Sequence, residues 1–322
     1  MTQTRLYRDG ALVEKDFPVA EISDHRAKNG CAVWADFISP TADDLASIEE
    51  ELELHPLAIE DAVHDHQRPK LDQYDSHFFL AAYAVRLDEE TGELTKSEIK
   101  AFIAKGALVT VHDGSFDMTK VVERWDNNID LSKNGVAFLL WGLLDVIVDG
   151  HFDAVQSLDG LIDSVEDALF DDKPRDREVA RRSFELRKSL VNLRRVVLPM
   201  REVVNSLLRR DNDTLSSSMT PYFQDIYDHV LRVTEWNESL RDLVSTIVET
   251  NIGIQGNRMN LIMKKVTSWA AIIAVPTAIT GFFGQNLEFP GFGTAWGVLL
   301  SSGLILGTGG ALYLSFKKRD WL

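Results

Sequence analysis

The spacing of apolar positions changes character twice along the 322 residues of the chain. In the first third, short apolar runs are separated by polar, turn-rich stretches. AVWADFIS (32–39), HFFLAAYAVRL (77–87) and IKAFIAKGALVTVHD (99–113) read as strands, the last broken near Gly106. TADDLASIEEELEL (41–54) reads as a helix, because Thr41 is a good N-cap and acids fill the first turn. These signals predict an α/β cytosolic domain over residues 1–133. No glycine-rich phosphate loop or nucleophile elbow interrupts it.

The period then becomes helical. Residues 135–170 carry one long helical pattern that runs out near Asp171, Asp172 and Pro174. A second pattern, about 175–210, is basic: Arg181, Arg182, Arg187, Lys188, Arg194, Arg195 and Arg201. Together they predict a helical hairpin over 134–212, with acids of one helix facing bases of the other; a solvated basic face is the plainer reading of the same residues. DNDTLSSSM (211–219) reads as a linker, and Pro221 suits a helix start. No strong breaker follows until Pro276, so residues 221–283 predict one helix of about 95 Å at ~1.5 Å per residue. Ile226, Val230, Val233, Asn237, Leu240, Val244 and Ile247 recur at 4-3 spacing as a packing seam. The part over 213–265 is expected to be a stalk.

Charge vanishes near the C-terminus. Neither 266–283 nor 289–316 contains a charged residue, and each supplies roughly the 20 residues needed to cross ~30 Å of hydrocarbon. A pair of buried core helices is the alternative, but Gly, Ser and Thr are frequent in both, as in helices packed in lipid. The expected layout is a first transmembrane helix over 266–284, an extracytoplasmic loop over 285–293, a second transmembrane helix over 294–316 and a basic cytosolic tail over 317–322. Lys264 and Lys265 precede the first span, and Lys317, Lys318 and Arg319 follow the second. The positive-inside rule therefore places both termini in the cytosol of a multi-pass protein of the inner cell membrane.

Two residues out of phase with the seam, the 4-3 spacing picks out Glu249, Gly253, Gly256, Asn260, Met263, Thr267, Ala270, Ala274, Thr277 and Gly281. Apart from Met263 this stripe is small or polar. It suits either close helix packing or the lining of a watery path, and Glu249, Asn260 and Thr277 favour the path. Two spans per chain cannot enclose a path, so a pore requires a ring of identical chains in the bilayer. At the outer end, Gly284, Gln285 and Asn286 terminate the first span. Backbone carbonyls and a neutral amide there suit an ion that keeps its water, as Mg²⁺ does.

The formal net charge of −16 disfavours nucleic acid as a partner and suits cations. A single cysteine, Cys31, leaves no intrachain disulfide and no cysteine-based zinc cluster. The opening MTQTRLYRDG is too polar for a secretory signal. His55, Asp61, His64, Asp65 and His66 cluster in HPLAIEDAVHDHQRP and offer another function, a membrane-anchored metal sensor or enzyme. His64 and His66 do not share a helical face, and no second catalytic grouping supports chemistry, so a non-enzymatic reading is preferred.

At Phe283-Gly284-Gln285-Asn286 the chain resembles the CorA family of divalent-cation channels, whose signature is Gly-Met-Asn after a first transmembrane helix. KKVTSWAAIIAVPTAITGFFGQN, FKKRDWL, HPLAIEDAV (55–63), QRPKLDQYD (67–75), LLDVIVDGHFD (143–153), VNLRRVVLPMREV (191–203) and PYFQDIYDH (221–229) extend the resemblance over nearly the whole chain. It implies a funnel-shaped cyclic homopentamer with a pore-lining first helix. It implies passage of Mg²⁺, with Co²⁺ and Ni²⁺ as further substrates. Gly284, Gln285 and Asn286 would form the selectivity filter. Glu249, Gly256, Asn260, Met263, Val266, Thr277 and Gly281 would line the pore, Met263 and Val266 as an apolar constriction. Asp225, with a partner among Asp88, Glu89 and Glu90, would hold a regulatory Mg²⁺ between neighbouring cytosolic domains. Gln285 departs from the signature methionine, which keeps open a Zn²⁺ transporter of the ZntB kind, proton-coupled or not.

Overall fold

The computed structural model describes residues 2–64, 68–170, 176–209, 217–285, 288 and 291–322. They form two compact units, Met1–Ile247 and Val248–Leu322.

The first unit is built on a seven-stranded sheet: β1 (Thr2–Arg8), β2 (Ala11–Lys15), β3 (Cys31–Ile38), β4 (Lys70–Gln73), β5 (His77–Leu87), β6 (Leu94–Ala104) and β7 (Ala107–His112), in the order β2-β1-β3-β7-β6-β5-β4. Neighbours are antiparallel except β3 and β7, which run parallel with Ile38 beside His112. The β6–β7 turn falls at Gly106, whose φ of +79° favours a residue without a Cβ.

Helices cover both faces, so the central strands are buried on two sides. Val33, Ala35 and Phe37 of β3 pack with Phe79, Phe102 and Val109 beneath α1 (Ile22–Arg26), α2 (Ala42–Leu52) and α3 (Pro56–Val63). Ala32 and Trp34 point the other way, into the core formed with α4 (Thr119–Asn127), α5 (Val136–Leu169), α6 (Asp176–Arg209) and α7 (Thr220–Phe283). Asp36 lies in the sheet, 2% exposed. It is tolerated there because the Thr110 hydroxyl donates to one carboxylate oxygen and His112 Nε2 lies 3.2 Å from the other. Thr41 caps α2 as expected: its hydroxyl accepts from the Asp44 amide at 3.2 Å, and the Asp44 carboxylate accepts from the Thr41 amide at 2.8 Å.

One glycine sets how closely α4 approaches α5. A Cβ on Gly142 would lie 2.3 Å from Trp125 Nε1. That indole N–H donates to the Leu139 carbonyl at 3.1 Å, and its ring stands edge-on to Trp34 with centroids 4.9 Å apart.

The expected matching of α5 acids with α6 bases does not occur among the described residues. Asp145 and Asp149 of α5 pair with Arg124 of α4, while Arg194 of α6 pairs with Glu238 of α7. The cause is that both long helices contribute apolar faces to the shared core, Val155, Leu158 and Ile162 from α5 and Leu186, Leu190 and Leu193 from α6. Arg181, Arg187, Lys188 and Arg195 remain exposed on α6, in keeping with the solvated face. Residues 211–216 of the expected linker lie outside the described residues, and Ser217–Met219 forms a 3₁₀ turn leading into α7.

α7 is a single helix of 64 residues, about 96 Å at ~1.5 Å per residue, with Pro276 inside it. All seven seam residues from Ile226 to Ile247 are buried, at 0–3% exposure. In the second unit, the rest of α7 is followed by α8 (Ala295–Lys318). Both helices contain 18-residue windows long and apolar enough to cross a membrane, with mean hydropathy 1.6 and 1.5, and each window is only 6% buried. Thr294 caps α8, and Gly297 meets Gly291 so closely that a Cβ there would lie 2.3 Å from the Gly291 carbonyl oxygen. Past α8 the chain folds back. The Trp321 amide donates to the Phe316 carbonyl at 3.0 Å, and the two rings stack 5.7 Å apart.

Candidate functional site

Two faces of α7 are distinguishable within the second unit. Ser268 is buried, and Ala271, Ile272, Val275, Pro276 and Ile279 are half-buried. On another side of the helix, Glu249, Gly253, Gly256, Asn260, Met263, Thr267, Ala270, Ala274, Thr277 and Gly281 are all exposed. An ideal Cβ on Gly253, Gly256 or Gly281 would meet nothing within 4 Å. Val266, beside the stripe, is 63% exposed and Met263 61%. The Thr277 hydroxyl donates to the Ile273 carbonyl at 2.8 Å, which satisfies its proton and leaves its oxygen outward as an acceptor. The small-and-polar stripe thus lies on uncovered surface, as do the bulky residues Trp269, Ile273 and Phe282 on other sides of the helix.

Around Asn260 the surface is concave. Asn257, Asn260, Leu261, Met263, Lys264 and Thr267, with Trp321 of the tail, line a cavity of about 590 Å³. The tail was expected only to be basic; its closing tryptophan also reaches the level of Asn260. The stacking on Phe316 positions it, and the aromatic pair five residues apart was the available signal.

At the other end the Gly284 amide donates to the Thr280 carbonyl at 2.8 Å and the Gln285 amide to the Phe282 carbonyl at 3.3 Å, closing α7. A Cβ on Gly284 would stand 3.0 Å from the Thr280 carbonyl oxygen, so the small residue fits this closure. Asn286 lies outside the described residues, so only Gly284 and Gln285 of the expected filter have a described position.

The expected regulatory carboxylates belong to the first unit. Asp225 of α7 is exposed, its carboxylate 4.0 Å from His229 Nε2. Asp88 closes the β5–β6 turn by accepting from the amides of Glu90 and Thr91, both at 2.9 Å, which holds its carboxyl below the usual aspartate range. Arg182 donates to the Glu90 carbonyl at 3.0 Å. Among the described residues no three His, Cys, Asp or Glu side chains are grouped to hold a metal within one chain. Asp225, Asp88 and Glu90 therefore do not make such a group in one copy.

A different ionic group was not foreseen. Arg124 bridges Asp145 and Asp149, the latter at 2.6 Å. Asp145 is 6% exposed, and burial pushes its carboxyl up to about 6. Arg124 opposes the rise, while the Asp149 and Asp225 carboxylates add to it. The i,i+4 acids in LLDVIVDG carried the signal, but their partner comes from another helix.

The histidine-rich segment resolves into structural roles. His55 Nδ1 accepts from the Leu57 amide at 3.2 Å and caps α3, and its ring stacks on Tyr74. Asp61 binds Lys70 at 2.6 Å, and His64 Nδ1 lies 2.7 Å from the Glu60 carbonyl. Asp65 and His66 lie outside the described residues.

The family model described as CorA-like Mg²⁺ transporter protein matches residues 29–318. The cobalt/magnesium transport protein CorA of Thermotoga maritima is 30% identical over 276 residues, covering 84% of this chain and 77% of that protein. The putative metal ion transporter YfjQ of Bacillus subtilis is 31% identical over 292 residues, covering 89% of each. The complete structure of the CorA magnesium transporter from Methanocaldococcus jannaschii matches with a TM-score of 0.80 at 20% identity, over 100% of this chain and 99% of that one, and so shares its fold. With a family match over almost its whole length, two apolar helices at its end and the same fold throughout, this chain belongs to the CorA-like Mg²⁺ transporter family.

Proposed function

We propose that copies of this chain, five as the resemblance implies, surround a water-filled path with the exposed stripe of α7 and pass hydrated divalent cations inward. The uncovered run of small and polar residues on a helix apolar enough to cross a membrane carries this reading. A lone helix in lipid gains nothing from such a face, whereas a ring of them hydrates it. Asn260 and Thr277 offer neutral oxygens to the waters of the ion. Met263 and Val266 form an apolar collar that closes by dewetting. Gly284, Gln285 and Asn286 receive the ion at the outer mouth, and Glu249 and Gly256 lie toward the inner one. Both termini face the cytosol.

Transport is passive. A divalent ion moving down ~100 mV gains about 4.6 kcal/mol, so no chemical energy source is needed. The names of the relatives support Mg²⁺ and Co²⁺ as cargo, with Ni²⁺ in the same class. Asp225, with Asp88 or Glu90 of a neighbouring copy, binds Mg²⁺ on the cytosolic side. Loss of that ion leaves like charges facing one another and favours the open state.

The test is flux into reconstituted vesicles. Asn286→Ala should abolish Mg²⁺ and Co²⁺ uptake while leaving the oligomer intact; undiminished uptake would falsify the filter assignment. Repeating the assay with Zn²⁺ and an imposed pH gradient separates the channel from a ZntB-like carrier, because only the carrier's flux follows the proton gradient.

A further inference from the structure

A cavity of about 690 Å³ lies wholly within the first unit and takes no part in the proposed ion path. It opens at the carboxyl ends of β3 and β7, where Ser39, Pro40, His112 and Asp113 line it. These strands are the parallel pair of the sheet. Ligands of open α/β sheets bind beyond the carboxyl ends of such strands. The volume falls inside the ~300–1,000 Å³ range of small-molecule sites.

The charge of its lining is opposite to that of the chain. Among the described residues, Arg68, Lys96, Lys100 and Arg195 line it together with two carboxylates, Glu98 and Asp113, in a protein of net charge −16. Lys100 is 5% exposed and donates to the carbonyls of Ala62 and His64 at 2.9 and 3.0 Å, so burial and backbone bonds fix its position. Lys96 lies over the Tyr83 ring, 5.6 Å from its centroid. Arg68 and Arg195 are exposed and enter no ion pair among the described residues. Two guanidinium groups at the rim of one cavity provide planar donors suited to phosphate oxygens. Pro40, Val63, Pro69 and Val111 supply an apolar wall beside them.

We propose that this cavity binds a phosphorylated metabolite of nucleotide size, with phosphates at Arg68, Arg195 and Lys96 and its less polar part against the prolines. The first unit would then report on the phosphorylated metabolites that chelate Mg²⁺, as well as on the ion itself. This reading does not depend on the ion path, and its test uses no flux measurement.

The experiment is calorimetric titration of ATP into the full-length protein in detergent, in divalent-free buffer so that chelation contributes nothing. Saturable binding near one ATP per chain is expected. Arg68→Gln with Arg195→Gln should weaken it at least tenfold, about 1.4 kcal/mol. Arg187→Gln with Lys188→Gln removes the same charge from exposed positions outside the cavity and should leave binding within twofold. Inorganic triphosphate should bind at least tenfold more weakly than ATP. Absence of ATP binding, equal weakening by both double variants, or equal affinity for triphosphate would overturn the nucleotide assignment.

Discussion

Gly142→Ala sets two known effects against each other. In an ordinary helix interior the change stabilises by about 1 kcal/mol. Here the new methyl carbon would lie 2.3 Å from Trp125 Nε1 and 2.4 Å from its Cδ1. The indole cannot withdraw freely. It is fully buried and meets Trp34, itself buried and donating to the Thr110 hydroxyl at 3.1 Å. Displacing it costs about 1–3 kcal/mol for overpacking. Losing its bond to the Leu139 carbonyl leaves the buried indole N–H unpaired, about 1–3 kcal/mol more, while the carbonyl keeps its helical partner. Clash therefore exceeds propensity, and the net loss is about 3 kcal/mol. At ~2–4 °C per kcal/mol for a unit of this size, Tm should fall by roughly 6–12 °C. Thermal unfolding of the full-length protein in detergent, followed by far-ultraviolet circular dichroism and tryptophan emission, measures it. Adding Trp125→Phe, which shortens the ring and removes the N–H, should recover part of the loss. An unchanged or raised Tm for Gly142→Ala, or strict additivity in the double variant, would refute the argument.

Two further outcomes follow from charge. Asp145 titrates near 6 in the folded chain against an ordinary 3.8. Between those values the folded state keeps a proton that the unfolded chain has lost, so stability falls as pH rises from about 4 to 6 and levels off above. The gap of about 2.2 corresponds to at most ~3 kcal/mol, and solvent at the exposed Asp149 side of the pair reduces it to about 2. Asp145→Asn should flatten that slope in urea unfolding; parallel pH profiles for parent and variant would count against it. Asp225→Lys should remove the protection that millimolar Mg²⁺ gives the cytosolic part against limited proteolysis, and full protection in the variant would exclude Asp225 as a regulatory ligand.

Legibility in the sequence followed the density of the apolar signal. β5 begins and ends at the expected residues because its first seven positions are buried between two covered faces and the apolar run continues to Val85. β6 was placed from residue 99, yet it starts at Leu94, because Thr95 and Lys96 are exposed on the strand's unshielded end. β1 was missed because Thr4 and Arg5 break the alternation. Thr4 is nonetheless buried, its hydroxyl donating to the Phe17 carbonyl at 2.8 Å, a bond across 13 residues that no local pattern reveals. β4 is four residues long and mostly polar, placed by pairing with β5. The seam and the stripe of α7 were both legible because a helix converts spacing into faces without tertiary help. The Arg124–Asp145–Asp149 group and the basic cavity were not, since the first joins two different helices and the second draws on segments from Ser39 to Val196.

Pro276 lies within the apolar window of α7 and has no N–H to give. The carbonyl of Ile272, one turn earlier, thus loses its usual donor in the helical ladder. Hydrocarbon cannot supply a replacement, and an orphaned acceptor there costs several kcal/mol. The local hydroxyls are committed elsewhere, Thr277 to Ile273 and Thr280 to Thr277. Water, a packed neighbouring helix or a local loosening of the ladder has to satisfy this turn, so the proline ring sets a demand that bare hydrocarbon does not meet.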